Sequence, residues 1–479
     1  MGEDRRNGGQ EGDAGRMENL REYQIADLSL MMKLPRCVNA SEPGTGKTAP
    51  SCVYSHYRTK DDNSRFVWVQ PSSLLQKNLI EMTRFTPLTT DELVIIKGTP
   101  KQKLAQIESG ARGFFMTAEA LASYGPRLKE LYTISLVVID ESHMLYKGHE
   151  SKRTQALYQF MRTTPYLVFM SGTIIQGNLT AFYPVAHLLE PRLYGNFAAF
   201  RAYHEWTDNY GNVLGWRNTE KIAKIMGLFG WRRTFAETYG EQEKVVIVEE
   251  VEMNPRQKKA YLTFEKDALL ELEDSYLDGS IPGVNQIRAR QILAHPHEIS
   301  NPLDGIESVV GDEPTAKDER LEVLATDHLR NGTPFVVFAV FTREVERIHR
   351  LLSSLGLQGG VIHGQKSFAE RGRVDQDFQA GRIQYIVATP PTASVGFNWQ
   401  HWGPDGKEVD HIIFCSLNYN DDDFVQAYMR VVRGVRKTVL RITILKYNAK
   451  VEDRIYEIVR KKSATVNKID PTRELITIH

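Results

Sequence analysis

Cysteine is almost absent from this chain, which removes one class of scaffold at once. The three that occur in 479 residues, Cys37, Cys52 and Cys415, are odd in number and far apart. They support neither a disulfide framework nor a cysteine-based zinc site, and they suit a reducing compartment. A charge excess of either sign is also missing: 60 Lys and Arg stand against 60 Asp and Glu. Without a global basic field, any hold on nucleic acid must come from local patches, and strong non-specific binding is not implied. No apolar run approaches the roughly 20 residues of a membrane span. The N-terminus lacks an apolar signal core, and Met1-Gly2 is followed by Arg6 where a myristoylation signal needs Ser or Thr. What remains is the composition of a globular protein, 41% apolar and 25% charged, long enough for two or more domains.

The stretch around which the rest is arranged is Ser41-Glu42-Pro43-Gly44-Thr45-Gly46-Lys47-Thr48. It follows the short apolar run Cys37–Ala40 and precedes a helical pattern, the strand–loop–helix context of a phosphate-binding loop. Backbone N–H groups of such a loop and the helix N-terminus cradle phosphates. Lys47 is placed to reach the β/γ-phosphates and the Thr48 hydroxyl to bind Mg²⁺. The strict pattern begins with Gly, and Ser41 stands there instead; an ordinary Gly-rich turn is the alternative. Some twenty residues earlier Gln24, on a helix with Ile25, Leu28, Leu30 and Met31 as its expected buried stripe, is either a surface amide or a group that pairs with an adenine edge.

After the loop, short apolar runs alternate with helical patterns. Arg65–Val69, Leu93–Ile96, Phe114–Met116, Leu136–Ile139 and Leu167–Met170 are expected strands, and the alternation resumes at Phe335–Phe338, Gly360–Ile362, Tyr385–Ala388, Ile412–Phe414 and Val439–Leu445. Continuous apolar strands separated by helices imply parallel sheets covered on both faces. The expected fold is α/β, with two tandem lobes. A polar tail spans 1–18, an N-terminal lobe with a helical extension 19–240, and a C-terminal lobe with linking helices 241–479. The tail is expected to be disordered, and residues 301–317, rich in Pro, Gly and acids, form a loop or linker.

Two further signals complete the chemistry. Leu136–Ile139 ends in Asp140-Glu141-Ser142-His143, and carboxylates at the end of a buried parallel strand lie where open α/β sheets bind ligands. Asp140 can hold Mg²⁺ and Glu141 can polarise an attacking water; a strand-end acidic turn is the bland alternative, and the spacing of a helical zinc motif is absent. Farther on, Asn420–Gln426 opens a helix whose first turn is acidic, and Gln426, Arg430 and Arg433 then fall on one face before Gly434 ends it. Two guanidiniums without acids in register call for an external anion, and an arginine finger of this kind is worth roughly 10³–10⁵ in rate. A solvated basic face is the alternative.

Taken in order, Leu-Arg-x-Tyr-Gln from Leu20, the Ser41–Thr48 loop, Asp140–His143, Ser171-Gly172-Thr173-Ile174-Ile175-Gln176-Gly177-Asn178, and Gln426-x-x-x-Arg430-x-x-Arg433 resemble the Swi/Snf-type ATPase motors of helicase superfamily two. The likeness runs from about Leu20 to Lys462 and includes Arg232-Arg233, Gln257 with Tyr261, and His295-Pro296. It implies two RecA-like lobes and a DNA-stimulated ATPase using ATP and Mg²⁺ that translocates on double-stranded DNA. RNA or single-stranded DNA is possible as the track, and a strand-separating helicase or a nucleotide-switched DNA clamp is the alternative. By position, Gln24 contacts adenine; Gly44, Thr45, Gly46, Lys47 and Thr48 hold the nucleotide; Thr48 and Asp140 hold the metal; and Glu141, Lys47, Gln426, Arg430 and Arg433 are catalytic. The nucleic-acid contacts that the resemblance implies are Ser72, Thr117, Thr342, His363, Thr389, Gly396 and Asn398.

Some positions depart from the family pattern. Val435-Arg436 follows Gly434 where a Gly-Gln pair is usual, Ala393-Ser394 replace glycines, Ile174 replaces a proline, and Trp402–Glu408 contains an inserted hairpin with an Asp405-Gly406 turn. The chain reads as a minimal motor similar to the compact versions of bacteriophages and prokaryotes; a monomer is expected, in the cytoplasm of a prokaryotic or phage-infected cell or in the nucleus of a eukaryote.

Overall fold

The computed structural model describes residues 20–61, 63–142, 149–172, 179–207, 213–278, 284–298, 313–393, 397–418, 424, 427–432 and 434–457. They divide into two compact units: 20–205 with 216–238, and 206–215 with 239–457. The expected tail 1–18 and most of the expected loop 301–317 lie outside the described residues.

Among the described residues, the first unit has strands β1 (Arg36–Asn39), β2 (Ser64–Val69), β3 (Leu93–Ile95), β4 (Gly113–Met116), β5 (Thr133–Asp140) and β6 (Tyr166–Met170). β7 (Glu205–Thr207) and β8 (Val213–Trp216) pair only with each other, and β9 (Gly230–Trp231) returns to the first sheet. That sheet is parallel throughout, in the order β3-β4-β2-β5-β6-β1-β9. Successive side chains of a strand point to opposite faces. Val67, Val69, Val137 and Ile139 therefore enter one core with Phe114 and Phe169, whereas Phe66, Trp68, Leu136 and Val138 enter the other with Cys37 and Met170. Helices cover both faces, which is why these strands appear in the sequence as unbroken apolar runs rather than alternating ones.

The second unit repeats the logic with β10 (Lys244–Val251), β11 (Phe335–Phe338), β12 (Gly359–Ile362), β13 (Tyr385–Ala388), β14 (His401–Trp402), β15 (Lys407–Glu408), β16 (His411–Phe414) and β17 (Leu440–Tyr447). Its main sheet is parallel, in the order β10-β17-β16-β11-β13-β12, while β14 and β15 form the small antiparallel hairpin. Helix Thr342–Ser354 drives Val345, Ile348 and Leu352 onto Phe335, Val337 and Tyr385. On the opposite face Phe338 contacts Phe414 and Trp399, and the Trp399 indole N–H donates to Asp375 at 2.8 Å. Among the described residues, no helix is long and apolar enough to cross a membrane. All three cysteines are free and buried.

One expected element differs. Residues 427 and 428 are helical, but the chain then turns: the N–H of Arg430 bonds the carbonyl of Ala427 (3.0 Å) and that of Val431 bonds Tyr428 (2.9 Å). The Arg430 carbonyl accepts from the Trp399 N–H at 2.7 Å. The backbone at 429–431 is thus a turn where a continuing helix is expected; positions 426 and 433, the other members of the expected face, lie outside the described residues.

Beneath the second sheet lies a buried pair of histidines. His328 Nε2 and His411 Nδ1 are 2.8 Å apart; Thr333 and Thr443 hydroxyls occupy their other nitrogens at 2.7 and 2.8 Å, and Arg441 approaches His411 at 3.1 Å. Burial, then the Arg441 charge, holds both imidazoles below the ordinary value, His328 at about 4. In the unfolded chain both protonate near pH 6.5, so the unfolded state binds more protons below that pH and stability falls with it. The thermal midpoint of the second unit is therefore expected to drop as pH is lowered from 6.5 toward 4, with a shallower drop in a His328→Gln/His411→Asn variant. Equal slopes in calorimetry of the two proteins would refute a neutral buried pair.

Candidate functional site

The glycine loop leaves the C-terminal end of β1 and enters helix Thr48–Arg58. Gly44 (φ 87°) and Gly46 (φ 77°) are in the left-handed region, where a side chain is strained. A Cβ on Gly46 would also lie 2.5 Å from Gln24 Nε2. The loop folds back on itself: the Thr45 hydroxyl donates to the Glu42 carbonyl at 2.8 Å, and Lys47 Nζ donates to the carbonyls of Ser41 (2.6 Å) and Glu42 (2.9 Å). The first turn of the following helix carries no acid and its last turn holds His56 and Arg58, so its positive end faces the loop without a competing carboxylate. Pro50 is tolerated there because first-turn N–H groups have no helical partner.

Gln24 meets this loop from helix Glu22–Lys33. Its Nε2 donates to the Gly46 carbonyl at 3.1 Å, and its Oε1 accepts from the Arg21 N–H at 2.9 Å. The amide is buried, not a surface group.

Asp140 ends β5, two strands from β1, and is buried. Asn78 Nδ2 donates to its Oδ2 at 2.8 Å and also to the side-chain Oε1 of Gln70, while the Glu141 N–H donates to Oδ1 at 3.1 Å. Burial and the neighbouring Glu141 charge push the Asp140 carboxyl up to about 6, opposed by Asn78 and the Lys47 ammonium. Glu141 itself has φ 51°; a left-handed non-glycine residue stores backbone strain of the kind found at functional sites. At the end of β6, between β5 and β1, Gly172 packs beneath the loop, where a Cβ would lie 2.7 Å from Pro43 Cδ. Thus Gln24, Gly44–Thr48, Asp140 and Glu141 gather at one edge of the first sheet. Among the described residues, no group of three or more His, Cys, Asp or Glu could hold a metal by itself.

Sequence reasoning passed over Asn78 and Gln70. The signal for Asn78 was present: on helix Leu75–Phe85 it shares the buried stripe Leu75, Leu79, Met82, and a lone amide on an apolar face needs a polar partner. Glu42 and Asp27 were also missed as structural anchors. Each is buried against an arginine, Glu42 with Arg232 at 2.8 Å and Asp27 with Arg233 at 2.6 Å.

The residues proposed to meet nucleic acid also lie at strand ends. Ser72 follows β2 and is exposed; Thr117 follows β4 and caps helix Ala118–Leu131 by accepting the Ala120 N–H. In the second unit Thr342 opens its helix and is half-buried, and Asn398 is exposed. His363 and Thr389 are buried instead, His363 bonded to Glu346 at 2.8 Å and Thr389 to Thr392 at 3.0 Å. Arg430 is buried, its guanidinium 3.4 Å from the Phe397 carbonyl. Gln426, Arg433 and Gly396 lie outside the described residues.

A family model described as SNF2-related domain matches residues 23–298, and one described as helicase conserved C-terminal domain matches 316–435. The chain is 23% identical over 482 residues to chromatin structure-remodeling complex subunit snf21 of Schizosaccharomyces pombe, covering 94% of this chain and 38% of that protein. It is 24% identical over 462 residues to chromodomain-helicase-DNA-binding protein 1-like of Danio rerio, covering 91% and 42%. The chain thus spans about two fifths of the length of these curated relatives. Among solved structures it is similar to the Sulfolobus solfataricus SWI2/SNF2 ATPase core in complex with dsDNA, at 19% identity and a TM-score of 0.41, over 94% of this chain and 92% of that one.

Removing the Asn78 amide would strip a donor from a buried carboxylate. Asn78→Ala is expected to destabilise the first unit by about 1–3 kcal/mol, measured by denaturant unfolding, and a change within error would show that Asp140 does not depend on it.

Proposed function

This chain belongs to the SNF2-related family, and we propose that it is an ATP-driven motor that translocates along double-stranded DNA. The observation that carries the proposal is the meeting of Lys47, Gln24, Asp140 and the strained Glu141 around one glycine loop at the C-terminal edge of a parallel sheet. The N–H groups of the loop and the helix end would hold the phosphates, Lys47 would neutralise the β/γ-phosphates, and Gln24 would read the adenine edge. Glu141 would orient and polarise the attacking water.

The Asp140 environment fits a divalent cation: it is a buried carboxylate at a strand end, and the bonds it accepts come from the Asn78 amide and the Glu141 N–H rather than from an arginine. Asp140 and the Thr48 hydroxyl would hold Mg²⁺, which when bound supplies charge neutralisation for the phosphates. Duplex DNA as the track is supported by relatives whose names describe chromatin remodelling and DNA binding, matched over nearly the whole chain. With no net charge, the grip would come from strand-end hydroxyls and amides such as Ser72, Thr117 and Asn398 together with local Lys and Arg, giving modest salt sensitivity.

ATP turnover measured side by side with duplex DNA, single-stranded DNA and RNA is expected to rise most with duplex DNA; no rise with any of them would sink the proposal. Glu141→Gln should abolish turnover while nucleotide binding persists. Arg430→Ala should lower kcat by roughly 10³-fold or more. Displacement of a triplex-forming strand without fork unwinding marks a translocase, and the reverse result marks a strand-separating helicase.

A further inference from the structure

The segment after helix Thr219–Phe229 does more than complete the sheet. β9 pairs with β1 through Val38↔Gly230 and Asn39↔Trp231, and the pairing continues into the glycine loop itself. The Ala40 N–H donates to the Trp231 carbonyl at 2.9 Å, the Glu42 N–H donates to the Arg233 carbonyl at 2.9 Å, and the Arg233 N–H donates to the Ser41 hydroxyl at 3.1 Å. The last bond gives Ser41 a task that glycine could not perform.

Side chains then lock the same segment. Arg232 pairs with Glu42 at 2.8 Å, their side chains only 9% and 10% exposed, and the other Glu42 oxygen accepts the Phe235 N–H at 2.7 Å. Arg233 Nε donates at 2.6 Å to Asp27, whose side chain is 4% exposed, on the helix that carries Gln24. One arginine thus holds the start of the glycine loop, and its neighbour holds the helix of the adenine-side amide. Between those two anchors lies the Gln24–Gly46 bond.

We propose that Arg232 and Arg233 are positioning residues for the nucleotide, with Arg232 setting phosphate affinity through Glu42 and Arg233 setting adenine recognition through Asp27. The inference rests on the assignment of ATP to this loop. Neither guanidinium needs to touch the ligand. A loop with two left-handed glycines has many conformations to lose on binding, and the Arg232–Glu42 brace removes much of that cost beforehand.

The test is titration of the full chain with a fluorescent ATP analogue and with inorganic tripolyphosphate as competitor, alongside steady-state ATP turnover and thermal unfolding without nucleotide. A hydrogen bond to a charged group is worth enough that Arg232→Ala and Glu42→Gln should each raise Kd and KM for ATP roughly tenfold or more. The kcat at saturating ATP should fall far less, and tripolyphosphate should weaken in parallel. Arg232→Lys should recover part of the loss, and the Arg232→Ala/Glu42→Gln double variant should be no worse than the weaker-binding single. Arg233→Ala should weaken ATP but not tripolyphosphate. If Arg232→Ala fails to fold, Glu42→Gln carries the same test. A fall in thermal midpoint with Kd and KM unchanged would overturn the inference and leave the ATPase assignment standing. A wild-type chain that binds neither probe would overturn both.

Discussion

A parallel strand buried on both faces can carry functional groups only where it ends. In the first unit β2, β5, β6 and β1 are neighbours, and each is apolar on both sides. Polar side chains are therefore pushed to the C-terminal edge, where the backbone emerges from the ladder and helices begin. Gln70, Asp140, Ser171 and the loop after Asn39 all sit there. The site is in this sense a consequence of the core: sheet order fixes which strand ends are adjacent, and adjacency decides which side chains can act together.

Crowding polar groups at such an edge creates an electrostatic problem that the chain resolves with matched pairs. Asp27, Glu42 and Asp140 are all buried. Asp27 and Glu42 are each answered by an arginine, and burial still raises the Asp27 carboxyl. Asp140 has an amide and a nearby ammonium instead, and its carboxyl is raised further, to about 6. Breaking a buried pair by removing one partner leaves an uncompensated charge, so the satisfied pairs behave as scaffold. Of the three buried carboxylates, Asp140 is the one bonded to an amide rather than to an arginine. The second unit follows the same rule with Lys317, buried between Glu452 (2.7 Å) and the Cys415 carbonyl (2.9 Å).

Much of this was legible in the sequence because it is local. Phe335–Phe338 and Tyr385–Ala388 are strands with the bounds their apolar runs imply, and the Asp405-Gly406 turn joins a real hairpin. The glycine loop and Asp140-Glu141 are contiguous motifs whose chemistry is written in residue type. The backbone at Arg430 was not legible for the opposite reason: the N–H that its carbonyl accepts belongs to Trp399, some thirty residues away in sequence. The partner of His363, Glu346 on a different element, is likewise outside any local window of sequence.

The sequence by itself determined the two-lobe α/β plan, most of its parallel strands and the family to which the motifs belong, because propensity, apolar runs and loop motifs act over a few residues. Only tertiary structure decided which of those residues stand together and what holds them. Strand order brought β5 beside β6 and β1. The return of Gly230–Trp231 to the sheet placed Arg232 on Glu42 across 190 residues. Such contacts follow from the burial of whole faces, a non-local sum that no short window of sequence contains.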